Sequence, residues 1–353
     1  MTTSRNRMPG LDALRGVAAL LVLLFHTRGM VLPTSVLSHG YLAVDLFFVI
    51  SGLVLARAHD DALRDGGGRK FMRRRLVRLY PMVLLGMAVG SALLLAFGMD
   101  LTTVGILIGL AVLFIPFTDA TDVFPLNGPQ WSLFWELAVN LLYAVVAPWL
   151  TFRRLVILTI VGGIAHVLLA LQFGTGSLGP HTGDWFAGGP RVIFGFFAGV
   201  LLARRLESGR LRIPVLPIWV NLAVVCAILS APVPEAGRAA FDLVAALVVF
   251  PLLVGSAARA EVGRGRSLLD GLAAISYALY ALHIPILSAA AEIIARGVLP
   301  GVPGLLIGGV ALVIALLAAI VAHRVFEPWA ALRLRNLGRA QPRSTSLPSS
   351  QTR

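Results

Sequence analysis

Eleven apolar runs of 14 to 25 residues follow one another along the chain, at about 11 to 31, 41 to 58, 77 to 98, 103 to 117, 131 to 150, 154 to 173, 190 to 203, 215 to 231, 240 to 257, 272 to 296 and 304 to 323. A helix needs about 20 predominantly apolar residues to cross the hydrocarbon core of a bilayer, and most of these runs supply them. With 58% of its residues hydrophobic and 13% charged, the chain lies outside the range of water-soluble domains. The fold class is therefore all-α, a polytopic membrane helix bundle embedded in lipid.

The net charge of +13 does not point to a nucleic-acid partner. The arginines fall in short segments between the apolar runs: Arg5 and Arg7, residues 57 to 78, Arg153 and Arg154, 204 to 212, 259 to 266, and the tail from Arg324 onward. That is the pattern of cytoplasmic loops. Placing all of them in the cytoplasm requires an even number of crossings between each pair, and only the interval between 78 and 153 fails, with three candidates. The weakest, 103 to 117, is read as a re-entrant or interfacial helix. About ten transmembrane helices remain, in the cytoplasmic (inner or plasma) membrane with both termini cytoplasmic. Residues 1 to 337 form one membrane domain, and 338 to 353, "GRAQPRSTSLPSSQTR", read as a disordered tail. The first run carries Arg15 and no small-residue cleavage site follows, so it is expected to stay as the first span. The single cysteine, Cys226, excludes an intramolecular disulfide and a paired-cysteine metal site, and no metal is expected.

Polar residues inside such runs need a reason, since an ionised group near the bilayer centre costs about 2.5 to 3.5 kcal/mol even on the lenient insertion scale. In "LDALRGVAALLVLLFHTRG" (residues 11 to 29), Asp12, Arg15 and His26 share one helical face, with Arg15 and His26 about 16 Å apart along the axis. Asp45 lies among aromatics in "GYLAVDLFFVISG" and calls for a cationic or imidazole partner. Arg75 and Arg78, three apart in "FMRRRLVRLYP", face the same way, either to fork onto phosphates or to anchor on anionic headgroups. Glu136 in "GPQWSLFWELAVNLLY" has no cation within four residues of its own helix. Tyr277, Tyr280 and His283 recur at three-residue spacing in "SYALYALHIPIL", and Glu327 precedes Pro328 in "HRVFEPW". These residues alone admit an enzyme, a proton-coupled secondary transporter or flippase, or a non-catalytic subunit. The lack of an internal repeat and the paired arginines speak against transport.

Taken in order, Arg15 and His26 with ten residues between them, "GYLAVDLFFVISG", "RRRLVRLYP", "WSLFWELAVNLLY", "SYALYALHIP" and "VFEPW" resemble the acyltransferase 3 family of integral membrane O-acyltransferases, from residue 10 to about 329. The resemblance implies transfer of an acyl group, commonly acetyl, from cytoplasmic acyl-CoA to a hydroxyl of a glycan, cell-envelope component or secondary metabolite. Acyl-CoA is then a substrate, with no permanently bound cofactor, and the acceptor is a carbohydrate-like hydroxyl compound. It further implies that Arg15 and His26 are essential, that Arg75 and Arg78 contact coenzyme A, and that Glu136 is the acid of its motif. Trp135 and Asn140 depart from the residues more usual there. Some relatives carry a further soluble domain after the membrane core; this chain stops without one and is expected to act alone or with a separate partner.

Because a thioester is already activated, such an enzyme needs chiefly to deprotonate and position a hydroxyl and to stabilise an oxyanion. His26 is the expected base, oriented by Asp45 or Glu136. Arg15, held by Asp12, is expected to stabilise negative charge on the donor or the tetrahedral intermediate. Tyr277, Tyr280, His283 and Glu327 are expected to support the site. An acyl-His26 intermediate stays open beside direct attack.

Overall fold

The structure, a computed structural model, describes residues 7–337; the expected tail at 338 to 353 lies outside them. The helices are α1 (Pro9–His26), α2 (Ala43–Arg64), α3 (Gly68–Ala96), α4 (Leu101–Val112), α5 (Gln130–Val146), α6 (Phe152–Phe173), α7 (Gly188–Glu207), α8 (Ile218–Leu229), α9 (Glu235–Val244), α10 (Phe250–Ala257), α11 (Arg266–Ala295), α12 (Gly304–Val321) and α13 (Glu327–Leu337). A π-helical turn at Ala245–Val249 joins α9 to α10, and another at Ala322–Phe326 joins α12 to α13. No strand occurs among the described residues.

Counting each π-joined pair once, nine helices are long and apolar enough to cross a membrane among the described residues. The run at 215 to 231, expected to be a full span, yields only the 12 residues of α8, about 18 Å of helix. Pro214 and Pro217 explain the late start, because proline disfavours helix at the residue before it and donates no hydrogen bond. A non-helical lead-in at 210 to 217 precedes α8. The Leu216 amide donates to Ser256 Oγ at 2.9 Å near the end of α10, while Leu229 O at the other end accepts from the His39 amide at 3.0 Å.

Two faces result. One, called here the basic face, holds the start of α1, the α2 to α3 turn with Lys70 to Arg78, and the start of α11; Arg7 joins Asp12 and Asp270 there. The far face holds the end of α1, residues 27 to 42, and the loop 174 to 187, to which residues 121 to 123 are tied by Thr182 N to Thr121 O and Val123 N to Pro180 O.

The weakest candidate, 103 to 117, does stop short. α4 turns back beside α3 for 12 residues, and its last carbonyls are taken up inside the protein: Tyr80 Oη donates to Val112 O, and Gln130 Nε2 donates to Ala111 O at 2.6 Å. Non-helical backbone at membrane depth is tolerated where its polar groups are satisfied in this way.

In lipid the hydrophobic effect does not drive helices together, so close backbone approach must. The α2 to α7 contact depends on glycine. A Cβ on Gly52 would lie 1.9 Å from Phe196 O, and one on Gly199 would lie 2.2 Å from Val49 O. α1 packs along α11, which packs on α12, and this arrangement sets the first helix against the "SYALYALHIP" segment.

Candidate active site

α1, α2, α3, α5 and α11 surround a cavity of about 820 Å³. Its mouth lies at the basic face, between Lys70, Arg73, Arg74 and Arg78 of α3 and the His323 to Glu327 turn. Its walls are apolar, with Val44, Phe47, Met82 and Leu133 among them, and its innermost polar groups are Ser132 and Tyr280, whose hydroxyls lie 2.6 Å apart. A basic mouth leading to an apolar throat suits a long ligand with an anionic head and an apolar or amide-bearing arm.

Arg15 lines this cavity. Its guanidinium donates to Asp12 Oδ1 at 3.0 Å, Ser276 Oγ at 3.2 Å and Ala273 O at 3.4 Å, so Asp12 does hold it. His26, three turns further along α1, does not line the cavity. It faces His283 of α11 instead, with His283 Nε2 at 3.3 Å from His26 Nδ1. Tyr280 connects the two places, since it lines the cavity and its ring centroid lies 5.8 Å from that of His283.

The hydrogen bonds fix both imidazole tautomers. His283 Nδ1 lies 3.1 Å from Leu279 O and 2.9 Å from Tyr280 O, so it must carry the proton and Nε2 must be an acceptor. Nδ1 of His26, 2.8 Å from Val22 O and next to that acceptor, must then carry its own proton. His26 Nε2 is left with a free lone pair and makes no hydrogen bond among the described residues. That is the state a general base or a nucleophile requires.

Two expectations about this histidine need correction. Asp45 does not orient it: both Asp45 oxygens are taken by Arg191, at 2.8 Å from Nε and 2.7 Å from Nη2, in a pair almost wholly buried. Arg191 also donates to Leu178 O and Tyr41 O, and its guanidinium carbon lies 5.5 Å from the centre of the Trp131 ring. Glu136 does not orient His26 either. Its Oε1 accepts from Ser51 at 2.5 Å, Arg75 at 2.8 Å and Asn140 at 3.4 Å, leaving Oε2 without a partner among the described residues on a side chain that lines the cavity. The spacing also matters for Arg15. An axial offset of about 16 Å from His26 exceeds the reach of an arginine side chain, so the two cannot meet at one carbonyl carbon.

Arg75 and Arg78 both line the cavity but differ in surroundings, Arg75 being buried on Glu136 and Arg78 exposed. Tyr277 Oη donates to Leu79 O at 2.6 Å, tying α11 to α3. Glu327 accepts from His323 Nδ1 at 2.9 Å at the mouth. Pro285 leaves Ala281 O without its helical donor, and Asn127 Nδ2 supplies one at 3.1 Å. Sequence reasoning did not single out Arg191, Ser132 or Asn127. Arg191, in "GGPRVIFGFF", was open to the same argument that singled out Asp45.

The family model for this acyltransferase domain matches residues 8–324. The chain belongs to the acyltransferase 3 family. Among its relatives, an acyltransferase of Streptomyces mycarofaciens, MdmB, is 26% identical over 314 residues, covering 80% of this chain and 79% of that protein. A protein encoded in the picA locus of Rhizobium radiobacter is 33% identical over 184 residues, 46% of this chain and 94% of its own. Proteins of Staphylococcus aureus named as O-acetyltransferases are 44% identical over 92 residues, which is 25% of this chain and only 14% of theirs. No solved structure matches the chain. As a member of the acyltransferase 3 family it is an integral membrane acyltransferase, which decides between the enzyme and transporter readings that its polar residues left open.

Proposed function

We propose that the protein takes an acyl group, acetyl in the simplest case, from acyl-CoA entering at the basic face and transfers it to a hydroxyl of a glycan, cell-envelope component or secondary metabolite. The observation that carries this reading is the cavity, with its four-cation mouth, its apolar throat and its inner end against Tyr280, whose ring lies beside that of His283, the neighbour of His26. Positive-inside counting makes the basic face cytoplasmic, which puts both ends of the described chain on that side of the cytoplasmic membrane.

In this reading Arg78 and its neighbours hold the donor's phosphates, and Arg15 and Glu136 line the path of its arm. The thioester passes the Tyr280 and Ser132 hydroxyls at the inner end of the cavity to come within reach of His26 Nε2, which lies beyond them. His26 Nε2 takes the proton of the acceptor hydroxyl as its oxygen attacks the thioester carbon. The tetrahedral intermediate then collapses, the carbon to sulfur bond breaks, and the proton passes from His26 to the departing thiolate. The free lone pair on His26 Nε2 serves equally for direct nucleophilic attack on the thioester, which would load the acyl group on the imidazole first.

The test is acyl-CoA binding by calorimetry, and CoA release, by purified protein in detergent. Saturable binding, with thiol release that His26→Ala abolishes, is the expected result. Absence of donor binding by folded protein would overturn the donor assignment.

A further inference from the structure

Arg28 stands two residues beyond His26, on the far face, where arginine is out of place. Cationic residues concentrate on the cytoplasmic side of membrane proteins, and the remaining far-face arginines each meet a carboxylate: Arg191 meets Asp45, Arg238 meets Glu235 and Arg296 meets Glu292. Arg28 meets none among the described residues. The one hydrogen bond of its side chain among the described residues is a long one, Nη1 to Leu37 O at 3.5 Å, and its Nε is buried without a partner. Burial also pulls its pKa below the ordinary arginine value.

The surroundings hold this cation beside the imidazole. The Arg28 guanidinium carbon lies 4.8 Å from the centre of the Phe25 ring, and that ring packs edge to face on His26 with centroids also 4.8 Å apart. The loop behind it is folded tightly: Thr27 O accepts from the amides of Met30, Val31 and Leu32, Gly29 takes φ +82°, and Leu37, whose carbonyl faces Arg28, takes φ +53°, a strained value for a residue with a branched side chain. An arginine held on an aromatic ring, with Nη1 only loosely held and Nη2 without a partner among the described residues, can receive an oxyanion.

We propose that Arg28 binds an anionic group of the acceptor, carboxylate or phosphate, so that the acceptor is a hydroxyl compound carrying negative charge near the hydroxyl presented to His26. This rests on the acyltransferase reading of His26 given above. Arg28 is then a specificity-determining residue, and neutral glycans are poor acceptors.

The experiment uses purified full-length protein in detergent, radiolabelled acetyl-CoA, and a glycan and lipid extract of cells that carry the protein natively as the acceptor pool. Base-labile label formed by wild type and absent with His26→Ala supports the acyltransferase reading; no label with wild type overturns that reading and this one with it. Given label, the product should be retained on an anion exchanger. Phosphatase treatment that abolishes retention identifies phosphate, and carbodiimide amidation that does so identifies carboxylate. Arg28→Gln should raise the acceptor KM about tenfold or more, the scale of a lost charge-assisted hydrogen bond, with little change in kcat, and Arg28→Lys should recover part of it. A neutral product, or an unchanged acceptor KM in folded Arg28→Gln protein, would overturn the proposal while leaving the acyltransferase reading intact.

Discussion

His283 Nε2 lies 3.3 Å from His26 Nδ1, with the ring centroids 5.0 Å apart and the planes inclined at 58°. The second imidazole, not a carboxylate, is what meets the expected base. With Val22 O on the same nitrogen, this neutral neighbour keeps the proton on Nδ1 without supplying a charge that would hold the imidazolium against reprotonating the leaving group.

Substituting this pair should separate chemistry from packing. His26→Gln should lower kcat by about 10² to 10⁴, since an amide hydrogen-bonds but takes no proton near neutral pH. His283→Phe should lower kcat by a smaller factor with the donor KM unchanged. His283→Gln, whose carbonyl oxygen can accept from His26 Nδ1, should recover part of the rate. The measurement is single-turnover transfer at saturating donor and matched folded protein. Substantial turnover by His26→Gln would remove His26 as base or acyl carrier.

Asp45 and Arg191 form the most enclosed ion pair joining two helices, at 5% and 1% side-chain exposure, so removal of one partner strands a charge. Asp45→Asn or Arg191→Met alone should cost about 3 to 5 kcal/mol of stability, whereas Asp45→Leu combined with Arg191→Met should restore much of it. Thermal unfolding in detergent reads this out. If Asp45→Asn instead kept its melting temperature and lost only turnover, a catalytic role for Asp45 would be reinstated.

How much of this was legible beforehand depended on the kind of information each feature carries. Hydropathy marked the spans because lipid demands long apolar helices, and arginine counting singled out the run that forms α4, which is only 12 residues long. The shared face of Asp12 and Arg15 follows from helical period alone. Pairing between helices does not: Asp45 needed a cation, but neither periodicity nor spacing could choose Arg191, 146 residues away, over the nearer His26. His283 was noticed for its spacing with Tyr277 and Tyr280, yet its contact with His26 depends on how α1 packs on α11. The length of α8 was misjudged because hydropathy is nearly blind to the prolines that begin it.

The half-length α4 gives a topology test. Asp119, exposed in the loop that follows it, should face outward if the basic face is cytoplasmic. A cysteine there, in a Cys226→Ala background, should react with an impermeant thiol reagent in intact cells. Asn127 is a poor site for this test, because it is 1% exposed and occupied with Ala281 O. Labelling of the Asp119→Cys protein only after lysis would require α4 to cross and would invert the assignment of every later helix.

Arg75 and Arg78, equivalent by sequence spacing, should part company in solution. Arg75 is 8% exposed and its guanidinium satisfies Glu136, so Arg75→Gln leaves a buried carboxylate short of its cation and should lower stability before it says anything about the donor. Arg78 is exposed at the cavity mouth and forms no ion pair among the described residues. Arg78→Gln should therefore preserve the melting temperature and raise the acyl-CoA KM about tenfold, the scale of a lost charge-assisted contact to phosphate. Arg78→Lys should lose less, because it keeps the point charge and gives up only the fork. Raising ionic strength should weaken donor binding by wild type more than by Arg78→Gln, since an exposed cation is screened within a Debye length of about 8 to 10 Å. Donor titrations at two salt concentrations, with melting curves of the same preparations, measure all of this, and an unchanged donor KM in Arg78→Gln would assign that arginine to lipid headgroups.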